Sequence, residues 1–417
     1  MKVFKFLQSI IINLLGIRVF NGQQKKLFLV EVFIFFGIAV ANVFVNTFIM
    51  VGGGLRGVVI YNIFVFGAAG VASFLQAILA KRFGLVKIYR LGIVLHILFY
   101  LSILVLGETV VDFIWLVGAL SGASLCFFFV TRNMLILAYA EYDQDVESVY
   151  WGSTGVLNSV FTIALPFLSG LLITFIFDTF GTLMVGYYIV FSAGIAVFLA
   201  GLILSFFMPA SVARNTDSNL WQDAKVLVRN KSFIFSGLGE MFRGTRDVIG
   251  NFIFIALVFY VIQSEAMVGT YNMVVAICKL AGFYLVARYL NLQRAKSLLL
   301  AFAIVAAVTP LLLLFFNGEN HLWALFVVGG AAFAVLSFQS AANVIISNAI
   351  RGYVECGFFI REIFLTIGRM IGLPLLLVLL NLTPNVVFNV GVAMVILGAM
   401  QILAWLMHSW VKFEKVK

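Results

Sequence analysis

Four charged residues lie close together in one apolar segment of the chain. Glu240, Arg243, Arg246 and Asp247 interrupt a run from 233 to 262 that is otherwise apolar enough to span a bilayer. Ionisable side chains are costly in lipid, so each needs a partner, a water-filled cavity or a ligand. On a helix, spacings of three and four residues place the two arginines on one face and the two carboxylates on its flank. The pattern predicts a charged face lining a transport pathway; the alternative is a helix end that pairs its own charges near the headgroups.

Further ionisable residues interrupt other apolar segments. Lys279 and Arg369 lie near segment centres, where a cation cannot reach the membrane surface by extending its side chain. Both are therefore predicted to face the pathway. Arg132, which precedes Asn133, and Glu31 lie nearer to segment ends, so a pathway position and an interfacial position both stay open for them.

These candidates carry more positive than negative charge. In a low-dielectric cavity such a surplus attracts an anion, and the planar guanidinium suits phosphate or carboxylate. The predicted substrate-binding residues are Arg132, Asn133, Arg243, Arg246, Lys279 and Arg369. A proton-coupling group needs a carboxylate whose partner changes with conformation. The candidates for that role are Asp247, Glu240 and Glu31, and a permanent structural ion pair is the alternative.

The composition excludes an ordinary soluble protein. Hydrophobic residues make up 63% of the 417 residues, charged residues 11%, and the mean hydropathy is +1.13. The apolar runs are continuous rather than alternating, which indicates membrane-spanning helices and not a barrel. Three scattered cysteines and three dispersed histidines indicate neither a disulfide framework nor a metal site. We see no nucleophile and base pattern, so the sequence predicts no enzyme and no cofactor, and the net charge of +10 does not point to nucleic acid.

Twelve transmembrane helices are predicted, joined by short connections. Their approximate limits are 28–51, 57–80, 88–107, 113–140, 150–177, 183–209, 233–262, 268–288, 297–316, 323–349, 358–381 and 386–410. The even-numbered connections are rich in Lys and Arg, whereas among the odd-numbered ones only Arg56 is basic. This asymmetry predicts a multi-pass protein of the cell membrane with both termini in the cytoplasm.

The chain divides into two related halves around a polar linker. The predicted parts are a cytoplasmic amphipathic segment (1–26), a six-helix bundle (27–209), a cytoplasmic linker (210–232), a second six-helix bundle (233–411) and a cytoplasmic tail (412–417). Residues 1–26 are not assigned to a secretory signal, because Asn13 interrupts the apolar run and no cleavage site follows. Glu31 and Glu240 lie 209 positions apart, as do Asn42 and Asn251. This repetition indicates an ancestral duplication.

Two motifs add to this architecture. In the connection after the second span, Arg82 and Gly84 match a loop signature known from membrane transporters, G-x-x-x-D-R-x-G. Ala77 stands in place of its first glycine and Lys81 in place of its aspartate. With its two six-helix halves and central linker, the chain resembles the major facilitator superfamily of secondary transporters. Because the acidic residue of the signature is absent, the usual carboxylate latch between the halves is not expected.

A proline in each half supplies a second set of candidates for gating. Pro166 and the residues to Gly170 resemble the proline and glycine signature of drug/proton antiporters, although Leu165 replaces its glycine. Pro374 occupies the corresponding place in the second half. The gating candidates are therefore Arg82, Gly84, Pro166 and Pro374, and the alternative for the prolines is helix bending and close packing.

The resemblance implies alternating access around a site between the halves. The resulting hypothesis is a monomeric secondary transporter that exports an amphiphilic, anionic small molecule in a proton-coupled cycle. One alternative is a flippase or importer of an anionic lipid or organophosphate. Another, of a different class, is a membrane scaffold or receptor that transports nothing, although such a protein has no need for charges inside the membrane.

Overall fold

The computed structural model describes residues 17–139, 144–209, 220–248, 259, 263–289, 295–309, 311–312, 321–349 and 354–411. Over these residues the chain is helical and contains no strand, which confirms the all-α class. The α-helices are α1 (Gly22–Phe83), α2 (Leu85–Leu106), α3 (Ile114–Tyr139), α4 (Gln144–Phe180), α5 (Leu183–Ser205), α6 (Leu220–Arg229), α7 (Lys231–Val248), α8 (Glu265–Tyr289), α9 (Ala295–Val308), α10 (His321–Ala349), α11 (Val354–Leu379) and α12 (Val386–Ser409).

Helix α1 contains the first two predicted spans in one element of 62 residues. The helix is broken at Gly54, whose φ of 57° and ψ of −170° are accessible to glycine at low cost. Asn21 caps its start and forms a capping box with Gln24. Residues 22–26, which the sequence analysis placed in the N-terminal segment, therefore belong to the first helix. Residues 1–16 of that segment lie outside the described part.

Eight of the described helices are long and apolar enough to cross a membrane, which supports a multi-pass membrane protein. They are α1 to α5 and α10 to α12. Helix α7 covers only the first part of the predicted span 233–262, and most of the remainder lies outside the described residues. The count of twelve spans therefore remains a prediction.

The described helices form two groups in chain order, with extensive packing inside each group. Helices α1 to α5, here called the N-terminal set, pack on one another, chiefly α1 on α3 and α5 and α2 on α3. Helices α7 to α12, the C-terminal set, do the same, chiefly α7 on α11 and α12 and α10 on α8 and α9. The two sets meet where α4 packs on α8 and where α1 packs on α11.

Glycine allows helices to cross at close range within each set. A Cβ at Gly122 of α3 would lie 1.9 Å from the Val65 carbonyl oxygen of α1. In the C-terminal set, a Cβ at Gly368 of α11 would lie 1.9 Å from the Met241 oxygen of α7. Small residues are the usual means of close helix packing in membranes. Because α11 approaches α7 so closely, long side chains beside these glycines can reach from one helix to the other.

The molecule has two ends that are easily distinguished. We call one the linker end; it holds the turn at Gly84 between α1 and α2, and the linker helix α6. Leu227 of α6 packs there in a cluster with Cys356 and Ile360 of α11. The other, here called the far end, holds the break at Gly54 and the turn at Gly181 between α4 and α5.

Candidate functional site

Arg243 is the centre of a buried ion-pair network on α7. Its Nη2 donates to Glu240 Oε2 at 2.7 Å, and its Nη1 donates to Asp247 Oδ2 at 3.3 Å. The three residues are spaced three and four apart, so one face of the helix brings them together. All three side chains are at most 7% exposed. The pairing of Arg243 with Asp247 that the spacing predicts is therefore present.

Two arginines of α11 extend this network. Arg361 Nε donates to Glu240 Oε2 at 2.9 Å, and its Nη2 donates to Asn343 Oδ1 at 2.9 Å. Arg369 Nη2 donates to Asp247 Oδ2 at 3.4 Å. Each carboxylate is therefore shared by two guanidinium groups. From the sequence alone, Arg361 could face the pathway or reach the inner interface, and it is not among the predicted binding residues; its signal is the location two helical turns before Arg369 on the same helix.

We call Glu240, Arg243, Arg246, Asp247, Lys279, Arg361 and Arg369 the α7 charge cluster. Its five cations outnumber its two carboxylates, even when the partly exposed Glu362, 3.9 Å from Arg361, is added. The excess is concentrated around Asp247. Arg246 is 4% exposed and its Nη1 has no hydrogen-bond partner within the described structure. Lys279 of α8 lies close enough to interact electrostatically with Asp247 and Arg246. The cluster therefore contains positive charge that its own carboxylates do not neutralise.

The cluster reaches the contact between the two sets through Arg369. The Arg369 guanidinium lies 4.6 Å from the ring centroid of Phe66, which belongs to α1. Its Nε is buried and has no hydrogen-bond partner among the described atoms. A Cβ at Gly70 of α1 would lie 2.8 Å from Thr366 of α11, so the two helices are in close contact at this level. Any separation of α1 from α11 would uncover Arg369.

The N-terminal set holds a simpler arrangement around Glu31. Arg132 Nε donates to Glu31 Oε1 at 2.7 Å, and the two residues are 5% and 0% exposed. The guanidinium lies between the rings of Phe35 and Trp151, at 5.1 and 4.9 Å from their centroids. Its Nη1 also contacts Asn133, whose side chain is exposed. One carboxylate and one guanidinium neutralise each other here, so this pair retains no surplus charge.

The predicted gating residues occupy different places. Pro166 of α4 lies at the contact between the sets, where a Cβ at Gly269 of α8 would be 2.5 Å from its carbonyl oxygen. Pro374 lies on an exposed part of α11. Gly84 forms the turn after α1 with a φ of 86°, and the exposed Arg82 stacks on the Phe83 ring. Pro166 is therefore placed at a contact with the opposite set.

Another contact between the sets involves residues that the sequence analysis did not select. Glu265, the first residue of α8, is 1% exposed and accepts a hydrogen bond from Tyr187 Oη of α5. In the sequence, Glu265 looks like a loop carboxylate outside the eighth span. Its burial depends on packing between helices far apart in the chain, and no local pattern indicates it.

Solved structures resemble the chain over nearly its whole length. The E. coli fucose:proton symporter FucP, in a variant form, matches with a TM-score of 0.60 and 16% identity, over 93% of this chain and 98% of that one. A second structure of FucP, described as a major facilitator superfamily transporter in the outward conformation, matches with a TM-score of 0.63 and 16% identity, over 93% and 99%. The chain has the fold of the major facilitator superfamily. The nucleoside transporter NupG matches with a TM-score of 0.69 and 13% identity, over 94% and 100% of the two chains. A proton-dependent oligopeptide transporter matches with a TM-score of 0.66 and 12% identity, over 94% and 99%.

Two bacterial relatives are similar in sequence. The uncharacterized protein YqgE of Bacillus subtilis (strain 168) is 25% identical over 388 residues, which cover 91% of this chain and 87% of the relative. An uncharacterized protein from the sodM 3' region of Geobacillus stearothermophilus is 25% identical over 139 residues, 33% of this chain and 64% of the relative. No family model matches the chain. The solved structures described above are all transporters.

Proposed function

We propose that the chain is a secondary active transporter that works by alternating access and exports an amphiphilic, anionic small molecule in a proton-coupled cycle. The shared fold supports transport, and two structural neighbours are described as coupled to protons or dependent on them. The remaining argument rests on this chain's own residues. The observation that carries it is the α7 charge cluster, a buried surplus of cations at the contact between the two sets.

Twelve spans in two six-helix bundles form the proposed frame of this transporter. The grouping of helices into an N-terminal and a C-terminal set supports it, as does the position of α6 between them in the chain. The proposed domain limits are those of the sequence analysis. The predicted cytoplasmic location of both termini rests on the distribution of Lys and Arg, and the proposed monomer rests on the architecture of the superfamily.

Arg246, Lys279 and Arg369 are the proposed seat of the anion. An orphaned guanidinium nitrogen in a buried place costs free energy, and an anion that accepts hydrogen bonds from it recovers that cost. Arg369 and Arg246 both have such a nitrogen among the described atoms. Arg243 and Arg132 have full carboxylate partners, so we assign them to holding the site in shape. Asn133 is exposed and remains a candidate contact from the N-terminal set.

Asp247 is the proposed proton-coupling group. It accepts hydrogen bonds from Arg243 and Arg369, so a proton on Asp247 would weaken both contacts and release Arg369 for the anion. Glu240 and Glu31 are the other carboxylates that the sequence proposes for this role. Glu240 is held by two arginines at 2.7 and 2.9 Å and Glu31 by one at 2.7 Å. These shorter contacts favour a structural role for both glutamates.

Native mass spectrometry of the purified protein tests the anion site through the ligand that copurifies with it. The wild type is expected to carry an anionic ligand that is lost in Arg369→Gln and retained in Arg56→Gln. Arg56 is an exposed arginine at the far end and serves as the matched control. If Arg369→Gln carries the same anionic ligand as the wild type, the proposed site is wrong.

The same spectra separate the export hypothesis from its alternative. The arginine surplus also suits a phosphate headgroup, so a flippase or importer of an anionic lipid or organophosphate is the second candidate. A phospholipid that copurifies and depends on Arg369 would favour this candidate, whereas a water-soluble amphiphile would favour export. A scaffold or receptor would show no uptake or release in proteoliposomes, whether or not a ligand copurifies with it.

A further inference from the structure

Glu265 joins the two sets at the far end of the molecule. Its carboxyl Oε1 accepts the hydrogen bond of Tyr187 Oη, and Tyr187 follows the far-end turn at Gly181. Thr47 of α1, a few residues before Gly54, also faces the carboxyl, although its hydroxyl donates to the Phe44 carbonyl at 3.0 Å. Glu265 is 1% exposed and Tyr187 is 0% exposed. A carboxyl group of the C-terminal set is thus enclosed by the N-terminal set.

The surrounding backbone makes this contact a tight seam. The Ala266 N–H of α8 donates to Thr174 Oγ1 of α4 at 3.1 Å. A Cβ at Gly170 of α4 would lie 2.4 Å from the Glu265 carbonyl oxygen, so only glycine permits this approach. Together with the Pro166 and Gly269 crossing, these contacts close α4 against α8. If the sets separate at the far end, the Glu265 carboxyl is exposed to water.

The enclosed carboxyl lacks the partners that an ionised group needs. No ion pair to Glu265 occurs in the described part of the chain, and Tyr187 is the one titratable group there that faces it. Its Oε2 has no hydrogen-bond partner among the described atoms. Glu240 and Asp247, in contrast, each contact two arginines. The start of α8 favours a negative charge, but one tyrosine hydroxyl and a helix end do not replace the hydration that burial removes.

We propose that Glu265 is a proton-binding latch: it takes a proton from far-end water as the two sets close there and releases it when they open. The proton adds to a carboxylate oxygen and returns to water, and no other bond changes. The latch rests on the alternating-access function proposed above and adds a second protonation site, distinct from Asp247. It couples the protonation of the chain to the position of α8 against α4 and α5.

Distance measurements between two spin labels test the latch in the full chain. The labels are placed through cysteine substitutions at Phe180, the last residue of α4, and at Leu382, in the turn after α11; these residues are 67% and 53% exposed. The background replaces Cys126, Cys278 and Cys356 by serine. Double electron–electron resonance is recorded in proteoliposomes at about pH 5 and about pH 9, which bracket the titration of buried carboxyls. We expect the short, closed distance at the lower pH and a longer distance at the higher pH.

Three substitutions separate the latch from a general response to pH. Glu265→Gln keeps the shape of a protonated carboxyl and is expected to give the closed distance at both pH values. Asp178→Asn, which changes an exposed far-end carboxylate, is expected to behave like the wild type. Tyr187→Phe removes a donor that favours the ionised carboxylate, so opening should shift to higher pH. This third variant retains the titratable group and serves if Glu265→Gln does not fold.

The outcomes distinguish the latch from the transport function. The latch is overturned if wild-type distances do not change with pH, or if Glu265→Gln responds to pH as the wild type does. Efflux of radiolabelled taurocholate, an amphiphilic sulfonate, is measured in the same proteoliposomes. A pH-dependent distance that Glu265→Gln abolishes supports the latch even if taurocholate is not transported. If taurocholate is transported but Glu265→Gln does not alter the response of the distance to pH, the transport function stands and the latch is wrong.

Discussion

Glu31 and Glu240 occupy corresponding places in the two halves of the sequence, yet their surroundings differ in charge. Glu31 has one arginine, Arg132, which is also covered by two aromatic rings. Glu240 has Arg243 and Arg361, and the network continues through Asp247 to Arg369. One half contains a neutral pair and the other an excess of cations. The duplicated frame therefore supports two different uses of the same buried glutamate.

The difference is informative because buried charges are expensive. Removing an ion from water costs several kcal/mol even after relaxation, and a close partner offsets that cost. In the pair of Glu31 and Arg132, each buried charge has a close partner of opposite sign, so no ligand is needed to offset the cost of burial. The C-terminal cluster is not complete, because Arg246 retains an orphaned nitrogen and Arg369 another. An anion that arrives during the transport cycle supplies the missing acceptors, and this is our reason for placing the substrate in the C-terminal set.

The largest expected effect comes from breaking the two glutamate sites in parallel. Glu240→Gln leaves Arg243 and Arg361 without their shared carboxylate and should cost about 4 kcal/mol of unfolding free energy. Glu31→Gln should cost less, about 3 kcal/mol, because the Phe35 and Trp151 rings still cover Arg132. Titration with SDS in mixed micelles, followed by circular dichroism, measures both. A larger loss for Glu31→Gln would contradict the comparison.

The second prediction concerns ligand binding at the two arginines. Arg369→Gln should weaken binding of an anionic amphiphile by about tenfold or more, since a hydrogen bond to a charged group is worth about 1.5–3 kcal/mol. Arg132→Gln should lower stability but leave the affinity of the folded protein nearly unchanged. Isothermal titration with taurocholate measures both affinities. Equal losses of affinity in the two variants would mean that the anion site is not confined to the C-terminal set.

The third prediction concerns the resident counterion of Arg369. Asp247→Asn removes a carboxylate that competes with the substrate, so affinity for the anion should rise by about fivefold. Coupling should be lost at the same time, because the amide cannot bind and release a proton. Efflux from proteoliposomes with and without an imposed pH gradient tests this second effect. Gradient dependence equal to that of the wild type would show that Asp247 is not the coupling acid.

Local features of this site could be predicted from the sequence, whereas its long-range partners could not. The pairing of Arg243 with Asp247 follows from helix geometry alone, since residues four apart are neighbours. The second partner of Glu240 is Arg361, which lies 121 positions later in the chain. Its contact depends on the close crossing of α11 and α7. A single sequence contains no pattern that fixes which helices cross.

The same limit applies to the membrane fold and to the latch. Composition and the length of apolar runs predict the multi-pass helical class, because they reflect the solvent in which the chain folds. The three glycines from Gly52 to Gly54 indicate where the first span ends and the second begins. The sequence alone does not distinguish a continuous helix with one break from two helices joined by a loop. Glu265 follows polar residues and looks solvated. Its burial arises only when α5 covers the start of α8.

The smallest expected effect concerns Phe66. Its ring faces an arginine of the opposite set, whereas the two described rings beside Arg132 belong to the same set as Arg132. Phe66→Leu keeps an apolar side chain but removes the ring that faces Arg369, a contact worth about 0.5–1 kcal/mol. Because Phe66 and Arg369 belong to opposite sets, the loss should shift the balance between closed and open states rather than only lower stability. Phe35→Leu removes a ring from Arg132 within one set and is the matched control. Phe66→Leu should change the distribution of distances between spin labels at positions 180 and 382, and Phe35→Leu should not. If both variants change it in the same way, Phe66 does not connect the charge cluster to the motion of the two sets.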